Sequence, residues 1–134
     1  MIHLINDLVS EIEIITNRLK NDRDNTKGNL KEDKLTLRLI PYNFPVWNSI
    51  KNTNKINLLT EKRGYIKILE FYSEISELNE WENTLTYFVL FKLNINTDEA
   101  EEDTYKDLLV EQVAIQREKV ICLAEEVYKV LKEE

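Results

Sequence analysis

Apolar residues near the start of the chain recur at Ile5, Leu8, Ile12, Ile15 and Leu19, a 3, 4, 3, 4 spacing that lines one side of an α-helix. Ile2, Val9 and Ile14 widen the seam into a stripe suited to a bundle helix with more than one neighbour, over residues 2–22. The polar run NDRDNTKGN, residues 21–29, has no period and contains Gly28, so it predicts the end of that helix and the start of a loop. Leu35, Leu37 and Leu39 then alternate with polar residues ahead of Pro41, which predicts an extended connection lying against helices. Pro45 suits a first helical turn, and Phe44, Trp47 and Ile50, three apart, share a face of a short helix that Asn52 and Asn54 terminate.

From Thr60 as N-cap, the positions Tyr65, Ile68, Tyr72, Ile75, Leu78, Trp81, Leu85 and Phe88 keep a spacing of 3 or 4 and predict one helix over 61–93. Its end, LTYFVLFKL at 85–93, is apolar on nearly every side; it fits either a buried strand or a helix covered on more than one side. The tetrad NTDE at 96–99 is a helix start, with Asn96 as N-cap and acid in the positive field of the first turn. A last helix over 98–132 carries Leu109, Val113, Val120, Leu123, Val127 and Val130, with Gln116 as a polar interruption. The short 94–97 loop makes the two long helices an antiparallel hairpin. The predicted fold is all-α: an antiparallel up-and-down helical bundle with two long helices, one medium N-terminal helix and one short helix, forming a single domain over 1–134.

Composition narrows the chemistry. With 2 glycines in 134 residues, there is no Gly-rich loop to cradle a phosphate. One histidine (His3) and one cysteine (Cys122) leave no paired His or Cys metal ligands and no disulfide within the chain, so no cofactor is expected. The 14 Asn, 14 Ile and 13 Lys against 3 Ala look like AT-rich coding rather than function. The net charge of −7 argues against nucleic acid as a partner. It is concentrated in residues 61–134, with 9 basic and 18 acidic side chains, while residues 1–60 have 9 basic and 7 acidic. No basic leader is visible, and no segment approaches the ~20 apolar residues of a membrane span.

Each candidate site competes with a plainer reading. Asn94, Asn96, Asp98 and Glu102 have calcium-loop spacing, but Glu99 and Tyr105 stand where Gly and Glu are needed. Glu70, Glu74 and Glu77 share a helical face as metal-holding carboxylates would, yet the diiron pattern also needs His, and a solvated acid stripe explains them. His3 sits at a terminus, and Ser49 has no His to activate it. Cys122, between apolar neighbours, reads as a small buried residue. Of the aromatics, Trp47, Tyr72 and Trp81 are the candidates for a ligand pocket, with core packing as the plainer alternative.

Trp47, Ser49 and Ile50 ahead of a turn and a Leu58–Leu59 start, followed by Tyr72, Ile75 and Asn79 in the form Tyr-x-x-Ile-x-x-x-Asn, make a pattern over residues 44–80. It resembles uncharacterised small helical domains of prokaryotic and phage-borne proteins that often follow an N-terminal membrane helix. Asn54 stands where those proteins usually have Gly, and the membrane helix is not in this sequence. The resemblance implies a soluble relative or the soluble part of a longer protein, cytoplasmic or membrane-associated, and implies no activity. The functional expectation is a non-enzymatic helical interaction module with a protein partner or itself as a homo-oligomer. Its contact residues would be Ile5, Leu8, Ile12 and Ile15 on the first helix and Phe88 and Phe91 on the third. The alternative is a ligand-sensing helical domain of a membrane-associated, signalling or defence system.

Overall fold

The structure, a computed structural model, describes residues 2–30, 41–53, 55–60, 64–91 and 99–132. Helix α1 spans Ile2–Leu30, α2 Pro45–Asn52, α3 Tyr65–Phe91 and α4 Glu99–Lys132, with a 3₁₀ turn at Lys55–Leu58 after α2. The described residues form an all-α bundle with no strand. Helices α3 and α4 are ~40 Å and ~50 Å long at 1.5 Å per residue and form its main contact. Helix α1 packs against α4, with Arg23 level with Glu118 and Thr16 level with Tyr128, so the two run in opposite directions.

Leu8, Ile12, Ile15 and Leu19 of α1, Ile68, Phe71, Ile75 and Leu78 of α3, and Val113, Val120, Ala124 and Val127 of α4 meet in one buried cluster. This seam is the buried stripe of an amphipathic helix whose other side is exposed. None of the described helices is long and apolar enough to cross a membrane.

Several boundaries differ from the sequence reading, each for a local reason. Helix α1 continues through Gly28 to Leu30 instead of ending near residue 22, so it is a long helix and not a medium one. A single glycine costs a helix only about 1 kcal/mol, and contacts beyond the apolar seam extend the helix: the Tyr42 hydroxyl donates to Asp22, and Arg23 lies 3.4 Å from Glu118. Helix α3 starts at Tyr65, and Thr60 is not its cap; the Thr60 hydroxyl donates to the Asn57 carbonyl at 2.9 Å and closes the 3₁₀ turn. Gly64 precedes α3 and accepts from Ile68 N–H at 2.8 Å. A Cβ there would stand 3.0 Å from Leu131, so glycine allows the end of α4 to close over the start of α3.

Helix α2 starts on Pro45 and buries Trp47 and Ile50, as the spacing predicts. Its last helical residue is Asn52 and its C-cap is Thr53, with φ −113°. Residues 85–91 are helical and only partly covered: Leu85 and Thr86 are buried, whereas Tyr87 and Leu90 are exposed. The extended connection at 31–40, the 94–97 loop with its Asn96 cap, and Asn54 lie outside the described residues.

Candidate functional site

The most organised polar site is built on Glu11, a carboxylate only 6% exposed on the core side of α1. Burial of a charge is unfavourable unless donors surround it, and Glu11 has three. Its Oε1 accepts from Val46 N–H at 2.7 Å, and its Oε2 accepts from Trp47 N–H at 3.1 Å and from the Tyr72 hydroxyl at 2.6 Å. The first turn of a helix leaves its N–H groups without intrahelical partners. In α2 the N-cap residue is Phe44, which supplies no side-chain cap, and Pro45 has no N–H to satisfy. Glu11 therefore caps α2 from another helix, with its negative charge at the positive end of the peptide dipoles.

Tyr72 stacks on Trp47 with ring centroids 4.7 Å apart and planes within 4°, and Phe44 and Phe71 meet it edge-on at 5.5 and 5.1 Å. Burial, and then the hydrogen bond and charge of Glu11, push the Tyr72 hydroxyl far above the usual tyrosine range, so it stays a donor. A second lock lies two turns further along α3. Asn79 accepts from Tyr42 N–H at 2.9 Å and donates to the Tyr42 carbonyl at 3.0 Å, while the Arg18 guanidinium lies 5.2 Å over the Tyr42 ring. Together these contacts fasten residues 42–50 across α1 and α3. A surface groove of about 310 Å³, lined by Asp7, Ser10, Glu11, Ile14, Arg18 and Val46 among others, runs beside them.

Of the three residues proposed for a ligand pocket, Trp47 and Tyr72 come together but close on each other, leaving no slot between the rings. Trp81 is half-buried on the flank of α3 that faces α4 and lines no part of that groove. Of the proposed oligomer contacts, Leu8, Ile12 and Ile15 are enclosed in this chain's own core, and Ile5 is half-buried against it. The α1 seam is thus consumed within one chain. Phe88 is half-buried, and the Phe91 side chain lies outside the described residues. Cys122 is exposed rather than buried, because the buried stripe of α4 passes through Val120, Ile121 and Ala124 and turns away from it.

Glu74 is engaged within the bundle: Gln116 donates to its carbonyl at 2.8 Å and to its carboxylate at 2.6 Å, and Lys119 lies 3.1 Å away. The Gln116 amide, and to a smaller extent Lys119, hold the Glu74 carboxyl below the usual range against the opposing effect of partial burial. Gln116, the polar interruption of the α4 pattern, is therefore a cross-helix bond. Among the described residues, no group of three or more His, Cys, Asp or Glu is placed to hold a metal. The calcium-like spacing begins at 94–98, outside them.

The outer side of the α3–α4 hairpin is the other organised surface. Lys67 meets Glu126 at 2.9 Å, Glu74 meets Lys119 at 3.1 Å, and Phe88 meets Tyr105 edge-on at 4.8 Å. These contacts step by seven residues along each helix in opposite directions, so the same step sets Trp81 opposite Gln112. Three residues beyond this row on α4 come Leu108, Ile115 and Cys122, all exposed; on α3 come Glu70, Glu77 and Thr84, also exposed. Leu108 and Ile115 are 53% and 54% exposed, and Tyr105 is 47% exposed. The result is a shallow channel whose floor is aromatic at Trp81, Phe88 and Tyr105 and ion-paired at Lys67–Glu126 and Glu74–Lys119, with Leu108 and Ile115 on one side and Glu70 and Glu77 on the other.

The fold and surfaces define a helical bundle with a self-capped core and an open channel on its outer hairpin face. No protein-family model matches the chain, and no curated protein or solved structure matches it.

Proposed function

We propose that the protein is a non-enzymatic helical interaction module that works through the outer α3–α4 face. One observation carries this reading: Leu108 and Ile115 form an exposed row next to half-buried Trp81 and Phe88 and exposed Tyr105, on a helix whose opposite side already supplies the core. Apolar residues scattered singly on a surface need no explanation, whereas an aligned patch marks an interaction site. Enclosure of the α1 seam moves any association, including self-association, to exposed residues such as these. A ligand-sensing role centred on Trp47 and Tyr72 has less support, because the rings fill each other's faces.

Photo-crosslinking in cells that make the protein tests the proposal. A benzophenone amino acid in place of Leu108 or Ile115 is expected to give a discrete adduct, and the same group in place of exposed Ile14 on α1 none. Equal adducts from all three positions, or none from any, would overturn it.

A further inference from the structure

We infer that the occupant of the α3–α4 channel is a basic amphipathic helix, an inference that rests on the interaction-module reading above. The shape of the site comes first. Tyr105, Leu108, Gln112 and Ile115 repeat at 3, 4 and 3, the spacing at which one helix offers knobs and holes to another. Trp81 and Phe88, seven apart on α3, continue the same surface across the hairpin contact. The channel thus runs parallel to two helices and is open along its length, which suits a third helix laid into it more than a compact ligand.

Charge then selects the partner. Glu70 and Glu77 are exposed along the α3 wall, and Glu74 and Glu126 lie in the contact row itself. Against these carboxylates stand Lys67, engaged with Glu126 and Glu70, and Lys119, engaged with Glu74, while on the α4 side exposed Lys129 is offset by exposed Glu111, so acid stays in excess. Glu70 and Glu77, seven apart, would face one edge of a docked helix, where Lys or Arg is complementary. A second copy of this chain presents the same acidic edge and carries a net charge of −7, so like charges oppose self-docking here. The structure therefore favours a partner with an apolar stripe of aliphatic or aromatic residues and a Lys/Arg-rich border.

The test is fluorescence anisotropy of a labelled Leu/Lys helical peptide titrated with the full chain, alongside a Leu/Glu peptide of the same apolar pattern. The Leu/Lys peptide is expected to saturate at one per chain and the Leu/Glu peptide not to bind. The double variant Leu108→Gln/Ile115→Gln, and separately Glu70→Gln/Glu77→Gln, should each weaken binding about tenfold or more, while Ile14→Gln on α1, exposed and away from this face, leaves it unchanged. Binding that ignores both double variants, or equal binding of the two peptides, overturns the inference. Light scattering separates its failure from that of the broader reading. If the unmodified protein is a dimer that Leu108→Gln/Ile115→Gln converts to a monomer, the occupant is a second copy: the basic helix is overturned and the interaction module stands. If the face neither binds peptide nor self-associates and Leu108 and Ile115 give no crosslink, both fail.

Discussion

Replacing Glu11 by alanine is expected to lower stability by about 3–4 kcal/mol, because two buried donors and one partly buried donor lose one acceptor group together. Val46 N–H, Trp47 N–H and the Tyr72 hydroxyl all converge on this carboxylate. A buried donor left unsatisfied costs about 1–3 kcal/mol. The two backbone donors have no other intrahelical partner, and the groove beside Glu11 lets water reach only part of the site. Glu11→Gln keeps an acceptor oxygen in place and should cost about half as much. Against a total of about 5–15 kcal/mol for a typical domain, the alanine variant is severe. Urea denaturation gives the free energies, and a red shift of Trp47 emission before global unfolding would report α2 leaving its seat. A loss under about 1 kcal/mol would show that Glu11 does not hold α2.

The second large effect is expected at the pair Arg117 and Glu82, between α4 and α3. Their side chains are each only 7% exposed, with Arg117 Nη2 at 3.4 Å from the Glu82 carboxylate. The contact is long for a charge-assisted hydrogen bond, and Arg117 Nε is buried with no hydrogen-bond partner among the described residues. Removing Glu82 takes the carboxylate away from the buried Arg117 charge, so Glu82→Leu should cost about 3–5 kcal/mol. Replacing both, as Glu82→Leu with Arg117→Met, should restore most of that loss, since a packed apolar pair often matches a buried ion pair. The double-mutant cycle read by denaturation midpoints decides the point. A double variant as unstable as the sum of the two singles would mean that these side chains are coupled to other groups more than to each other.

The helices were legible because apolar spacing of 3 and 4 reports a buried face directly; α3, α4 and the seam Leu8, Ile12, Ile15 and Leu19 all follow from it. The end of α1 was not legible, since Asp22 and Arg23 extend the helix through tertiary contacts with Tyr42 and Glu118 that no local pattern encodes. Glu11 was overlooked although a signal was present: it falls on the same side of the helix as Leu8, Ile12 and Ile15, where a lone carboxylate needs a partner. Of the pattern residues, Trp47, Tyr72 and Asn79 hold residues 42–47 against α3, a packing role that the pattern alone does not reveal. The outer channel was obscured because the register of α3 against α4 decides which flank of each helix stays open, and Trp81 was grouped with aromatics on the other side of its helix.

The central claim is that the outer α3–α4 face is surplus to the fold and serves a partner. The most direct measurement is the urea midpoint of the Leu108→Gln/Ile115→Gln variant, in which both new residues keep helix propensity. Surface positions change stability by about 0.5 kcal/mol each, so the pair should stay within about 1 kcal/mol of the parent protein. A loss of about 3 kcal/mol or more, the scale of core positions, would place these residues in the packing of the bundle and contradict the account.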